Sequence, residues 1–391
     1  MNTTKPISQT MQKHLETLQG LEKRLQVRQA AFKLTADEIE RKREFLINKG
    51  MKISESKISL PDSHDTNIET PTSSEIRVVG NTDPSKHMNK VNAHYVEVSD
   101  EFTLFDAHFE SGEPLLLEGP KGCGKSLAVA KWATMNGDGR TAKPLITFDC
   151  SEGTKEGHLI GRLVVQGKET PFHLGLIPTI IEVVNASPVG AVIILEEINA
   201  LTQAMQKILN PLLDWRRGVF VESVGKYYSI KPDKFFLCIG TMNPSSYGGV
   251  NEMNDDLLSR FTKRIWDYPT ISDEKRILDK SIKQFNVPAE IVKQFLKLAQ
   301  ETRAAEKRQS EAISHSISTR ELDSIFKLYA AYSTKWDNPV SILIEKVRGM
   351  YTDESEWNIV KSRVESIFGR EVFNVAYKKQ SEDEINEEAS A

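Results

Sequence analysis

Gly119-Pro-Lys-Gly-Cys-Gly-Lys125-Ser126 is the stretch that decides how this chain is read. It fits the pattern G-x-x-x-x-G-K-[ST]. An apolar run, Leu115–Leu117, precedes it, and an amphipathic stretch, Ser126-Leu-Ala-Val-Ala-Lys-Trp-Ala133, comes after it. Strand, glycine turn and helix in that order make a phosphate cradle. The glycines let backbone N–H groups turn inward on the anion, and the helix adds the positive end of its dipole. Gly119, Pro120, Lys121, Gly122, Cys123, Gly124, Lys125 and Ser126 are therefore candidate nucleotide-binding residues. Lys125 is placed to reach the β- and γ-phosphates, and the Ser126 hydroxyl to join a Mg²⁺ shell.

Two further apolar runs end in polar residues. Ala191-Val-Ile-Ile-Leu195 runs into Glu196 and Glu197, and Phe235-Phe-Leu-Cys-Ile-Gly-Thr241 runs into Met242 and Asn243. In an open α/β sheet, ligands bind at the carboxyl ends of the strands, so these residues can meet the phosphate loop at one place. Glu196 then holds Mg²⁺, Glu197 polarises the attacking water, and Asn243 hydrogen-bonds the γ-phosphate or that water. Taken alone, the two glutamates read as surface acids and Asn243 as a turn residue before Pro244.

The 391 residues divide into five parts. Residues 1–50 carry Met11, Leu18, Leu25, Phe32, Ile39 and Leu46 at seven-residue spacing and predict an amphipathic, coiled-coil-like helical arm. Residues 51–92, rich in Ser, Thr, Asp, Asn and Pro, predict a flexible linker. Residues 93–270 alternate apolar runs with amphipathic stretches, predicting an α/β domain. Its strands are expected at Pro114–Leu117, Leu145–Asp149, Ala191–Leu195, Phe235–Thr241 and Arg264–Asp267. Residues 271–375 predict a small α-helical domain, with helices at Asp273–Phe285, Pro288–Glu306, Thr319–Ser333 and Pro339–Tyr351. Residues 376–391 form an acidic tail expected to be disordered. The net charge of −4 argues against a nucleic-acid-coating protein. Three scattered cysteines exclude a disulfide scaffold, and the N-terminal residues lack the apolar core of a secretory signal, so a cytoplasmic location is expected. No apolar run approaches the ~18 residues of a membrane span.

In this order the motifs resemble those of the AAA+ ATPases. Gly119–Ser126 looks like Walker A, Ala191–Glu197 like Walker B and Asn243 like sensor 1. Asp256-Leu-Leu-Ser-Arg260-Phe261 resembles the arginine-finger segment, and Ser318-Thr-Arg320-Glu-Leu resembles sensor 2. Glu196-Glu-Ile-Asn199 is similar to the MoxR branch. Leu159-Ile-Gly-Arg162, Gly167-Lys-Glu-Thr-Pro-Phe-His-Leu-Gly175 and Asp267-Tyr-Pro269 resemble its CbbQ/NorQ type. The resemblance spans about residues 95–370. It departs from the family where Glu196 replaces the Walker B aspartate, and where Lys121 and Cys123 stand at loop positions that are often small or β-branched.

The resemblance implies an AAA+ parallel sheet with helices on both faces, a helical lid, and Mg²⁺-dependent hydrolysis of ATP. Adenine over guanine rests on it alone. It implies a homo-oligomeric ring, a hexamer, in which Arg260 reaches a neighbour's γ-phosphate while Arg320 acts from the lid of its own subunit. The alternatives are a local ion pair of Arg260 with Asp255 or Asp256, and a solvated helix start for Arg320. Arg216, Arg217 and Arg264 are substitutes for the trans role. The stretch 158–174 resembles the helix-2 insert of the branch, and Arg217–Asp233 a hairpin before sensor 1. The implied partner is a protein client, remodelled or activated, with a von Willebrand A domain adaptor. Two rival readings are a nucleic-acid-linked motor of McrBC-like type and a slow or non-hydrolysing nucleotide switch.

Overall fold

The computed structural model describes residues 76–88, 94–137, 139–244, 252–308 and 313–374. The expected arm 1–50, residues 51–75 of the expected linker and the expected tail 376–391 lie outside them. The strands, in chain order, are β1 (Val78–Val79), β2 (Leu115–Glu118), β3 (Leu145–Asp149), β4 (Gly161–Leu163), β5 (Phe172–Leu174), β6 (Ala191–Glu196), β7 (Gly218–Val221), β8 (Lys226–Ser229), β9 (Phe236–Met242) and β10 (Thr262–Ile265). Five of them form a parallel sheet of order β10-β2-β9-β6-β3. Four match the expected strands closely. The fifth, expected at Arg264–Asp267, begins two residues earlier. Its pairing with β2 starts where Thr262 N–H donates to Pro114 O and ends where Trp266 N–H donates to Glu118 O.

The helices are α1 (Glu101–Ser111), α2 (Lys125–Ala133), α3 (Glu156–Leu159), α4 (Leu176–Ala186), α5 (Gln203–Leu213), α6 (Asp255–Leu258), α7 (Ile271–Gln284), α8 (Ala289–Lys307), α9 (Thr319–Ser333), α10 (Pro339–Arg348) and α11 (Glu354–Phe368). Side chains alternate across a strand, so each central strand feeds two cores. Leu115, Leu117, Val192, Ile194, Leu237 and Ile239 pack with Phe105 of α1 and Trp132 of α2. Leu116, Ile193, Leu195 and Cys238 pack with Ile180 of α4 and Leu209 of α5. Burial on both faces is why these strands read as unbroken apolar runs. Helices α7 to α11 enclose a separate core around Phe295, Phe326, Leu343 and Val360.

Two hairpins project from the α/β domain. β4 and β5 pair antiparallel, as do β7 and β8. Residues 76–88, expected as linker, are ordered in part. β1 adds to β5 in parallel, and a 3₁₀ turn at Pro84–His87 is capped by Asp83, whose carboxylate accepts from Ser85 N–H at 2.9 Å. Two valines flanked by polar residues carry too weak an alternation to announce a strand.

The helical domain is fastened to itself by a buried ion pair. The Arg303 guanidinium donates to both Glu274 oxygens, at 2.8 and 2.7 Å, and to Ile317 O at 2.8 Å. Glu274 also accepts from Thr319 Oγ1 at 2.6 Å. One carboxylate thus ties α7, α8 and the start of α9. Removing one member of such a pair leaves a buried charge uncompensated. Glu274→Ala is expected to cost about 3–5 kcal/mol in urea unfolding, and the double variant Glu274→Leu/Arg303→Met less than the sum of the two single changes.

The start of α9 also carries a pH-sensitive contact. Glu321 accepts from Ser318 N–H at 2.7 Å and lies 2.7 Å from His315 Nε2. The bond to Glu321 holds the His315 imidazole above its ordinary value. A raised value means the folded chain binds that proton more tightly. The contribution is therefore complete below about pH 6.5 and is lost as pH rises through the folded-state value. Thermal melts between about pH 6 and 8 should show this loss in the wild type and a flatter profile in His315→Gln.

Candidate functional site

The register of the sheet sets the site. Leu117 of β2 lies opposite Thr241 of β9, and Leu195 of β6 opposite Gly240. The three strands therefore end at one edge, and the residues after each strand converge there. A cavity of about 530 Å³ opens at that edge. From the phosphate loop it is lined by Lys121, Gly122, Cys123, Gly124, Lys125 and Ser126, and from the other two strand ends by Glu196, Glu197, Thr241 and Asn243. Arg320 and Thr319, at the start of α9, close it from the helical side.

The loop is shaped for close approach. Gly122 and Gly124 have φ of +72° and +97°, a region that favours glycine. Gly124 precedes α2 with no side-chain cap, so the first-turn N–H groups of that helix are left to face the cavity. Lys125 is buried, and its ammonium donates to Gly119 O at 2.7 Å and Pro120 O at 2.8 Å. Gly119 and Pro120 thus serve the site by holding Lys125 and do not line the cavity. Burial holds the Lys125 ammonium below its usual value, against the pull of Cys123, Glu197 and Glu196. Burial also pushes the Cys123 thiol up, and it donates to Pro120 O at 3.0 Å, a packed group in place of a reactive thiolate.

Glu197 sits in a strained backbone conformation, with φ of +51°. A non-glycine residue there costs on the order of 1–3 kcal/mol. Its N–H donates to Thr241 Oγ1 at 3.3 Å, which ties the turn after β6 to the end of β9. The bend turns the chain out of the sheet directly after Glu196, so consecutive carboxylates both face the cavity.

Arg260 is the candidate that the cavity does not include. It comes after α6, and its guanidinium lies 3.8 Å from an Asp214 oxygen. The local partners suggested by sequence, Asp255 and Asp256, instead stand in the first turn of α6, where acidic side chains favour the helix dipole. Asp214 is held more closely by Arg216, at 2.6 Å, while the Arg260 Nε is buried without a hydrogen-bond partner. Arg264 is on an exposed edge strand.

Sequence reasoning missed the far end of the cavity. Tyr95 lines it from the segment before α1, and Ile277, Leu278 and Ser281 line it from α7. These are apolar or small residues at ordinary helical or loop positions, and only the docking of α7 against the α/β domain brings them to the loop.

Ser126 and Glu196 present hard oxygen donors beside the cradle, the donor type Mg²⁺ takes when substrate phosphates and water complete its shell. The cavity therefore combines anion-binding backbone, a buried ammonium, carboxylates and a lid arginine. Such a set fits a polyphosphate with its divalent ion.

Comparison with known proteins agrees with this geometry. The family model for the AAA domain of the dynein-related subfamily matches residues 114–261. Protein CbbQ of Hydrogenophilus thermoluteolus is 28% identical over 194 residues, which cover 50% of this chain and 68% of CbbQ. The denitrification regulatory protein NirQ of Stutzerimonas stutzeri is 28% identical over 219 residues, covering 56% of this chain and 74% of NirQ. NorQ of Paracoccus denitrificans is 28% identical over 184 residues, covering 47% of this chain and 63% of NorQ. With a phosphate loop, a carboxylate-tipped central strand and a lid in the order those relatives share, the chain belongs to the AAA+ ATPase family, on its MoxR branch beside CbbQ, NirQ and NorQ.

Proposed function

We propose that this chain hydrolyses ATP within a homo-oligomeric ring, a hexamer by family resemblance, and uses the cycle to remodel or activate a protein client. The observation that carries the reading is the meeting of Lys125, Glu197, Asn243 and Arg320 in one cavity while Arg260 stays outside it. In this reading the loop N–H groups and Lys125 bind the β- and γ-phosphates. Ser126 and Glu196 hold Mg²⁺, which neutralises phosphate charge. Glu197 accepts a proton from the attacking water, Asn243 orients that water against the γ-phosphate, and Arg320 holds the phosphate from the lid. Arg260 is offered to the nucleotide of an adjacent copy, where a fixed charge with forked donors suits a transferring phosphoryl group.

The client class comes from the relatives. One of them is named a denitrification regulatory protein, and the resemblance suggests an adaptor with a von Willebrand A domain. In this reading the client is met in the cytoplasm. Among the described residues no helix is long and apolar enough to cross a membrane. The hairpins β4–β5 and β7–β8 expose Leu163, Val165, Phe220 and Tyr227, side chains suited to gripping a polypeptide. Glu196 favours slow turnover as a second reading, since one extra methylene displaces the carboxylate that holds the ion.

Two measurements test the proposal. Glu197→Gln should keep ATP binding and lose hydrolysis by about 100-fold or more in a steady-state phosphate-release assay. Lys125→Ala and Arg260→Ala should each be nearly inactive alone. Mixed, they should recover part of the wild-type rate, because a hybrid interface then pairs an intact loop with an intact arginine. Absence of recovery in a mixture shown to co-assemble would sink the trans role of Arg260.

A further inference from the structure

The motif Asp267-Tyr-Pro269 has no part in the proposed reaction, yet the segment holding it touches the phosphate loop twice. The Trp266 carbonyl oxygen occupies the space a Cβ at Gly119 would need, 1.9 Å from that position. The Tyr268 hydroxyl donates to Lys121 O at 2.9 Å. A third contact comes from the start of α9, where the Ser318 Oγ lies 2.6 Å from the Cβ position of Gly122. Residues 266–270 join the α/β domain to α7, so this connection is the hinge of the helical domain.

Tyr268 is itself held. The Arg303 guanidinium carbon lies 4.0 Å from the centre of its ring, and that guanidinium is fixed by Glu274 and Ile317 O. Asp267 beside it pairs with Lys307 of α8 at 2.6 Å. Burial drives the Tyr268 phenol well above its usual value, so its hydroxyl remains a donor across the neutral range.

We infer that Tyr268 is a positioning residue for the phosphate loop, setting the Lys121–Gly122 peptide from the hinge side. The inference rests on the reading of residues 119–126 as a phosphate cradle. The described chain contains no cis peptide bond, so the carbonyl and N–H of this unit point in opposite directions. Tyr268 is not among the residues lining the cavity. Holding the Lys121 carbonyl on the hinge side therefore leaves the Gly122 N–H aimed at the cavity side. Glycine at 122 tolerates rotation of this peptide, so without the bond a fraction of molecules turns the carbonyl toward the phosphates. Apparent affinity falls by the fraction of loops wrongly set. Linkage makes the coupling reciprocal: bound phosphate strengthens the hold of the loop on the hinge, and through Arg303 and Glu274 on the lid.

Tyr268→Phe tests this, because it keeps the ring over Arg303 and removes only the hydroxyl. The full chain is titrated with ADP and with adenosine, and ATP turnover is measured alongside. A variant with a melting temperature equal to wild type should bind ADP about three- to tenfold more weakly, with adenosine affinity unchanged. KM for ATP should rise by a similar factor while kcat holds, since ground and transition states lose the same interaction. Unchanged ADP affinity overturns the inference. So does an equal loss for ADP and adenosine, which would mark a general packing role. A wild type that binds no ADP would remove the phosphate-cradle reading itself, a result distinct from either.

Discussion

Parallel pairing of β2, β9 and β6 is the constraint on which the site depends. Three segments separated by dozens of residues in sequence become neighbours because their strands pair directly and end in step. The apolar runs supply the energy for this, since every residue from Leu115 to Leu117 and from Ala191 to Leu195 is buried. The polar residues just past them are exposed to one cavity by the termination of the strands and not by any contact among themselves. The strained turn at Glu197 is tolerated because the sheet fixes the residues before it, and Thr241 bonds its N–H.

A second constraint shapes the helical side. Burying Glu274 and Arg303 is costly for each ion alone, and the geometry offsets this by filling their hydrogen-bonding capacity: two bonds between them, one to Ile317 O and one from Thr319. Thr319 is one residue from Arg320 and one from Ser318, which packs on Gly122. The pair therefore does more than hold helices together. It determines where the lid arginine begins and how closely α9 meets the phosphate loop. A helical domain held by apolar contacts alone would retain its core and leave that registration looser.

The sheet and the cradle were legible because their signals are local. A strand buried on both faces is an apolar run, and a phosphate loop is a contiguous pattern with fixed glycines. The capping box at Ser318 and Glu321 belongs to the same class, and α9 begins where that pattern puts it. Contacts made across the fold left no such trace. Asp214 is 46 residues from Arg260, and the sequence offered nearer carboxylates at 255 and 256 that the helix dipole already accounts for. Tyr95 and Leu278 acquire a role only when α7 docks. β1 borrows its order from β5, with too few residues to show alternation of its own.

The arrangement around Asp214 reflects the needs of an arginine destined for another molecule's phosphate. Such a group must be oriented in advance, yet its charge must not be spent on a strong local bond. Asp214 gives its closest contacts to Arg216, through Nε at 3.1 Å and Nη2 at 2.6 Å, and this pairing holds its carboxyl below the usual range. Arg260 receives only the remainder, a contact at 3.8 Å, and its Nε has no partner. Leaving that contact costs little, and the buried Nε rewards any acceptor brought to it. A carboxylate shared unequally between two arginines thus keeps one of them oriented and still available, which is the condition the proposed subunit-to-subunit step sets for Arg260.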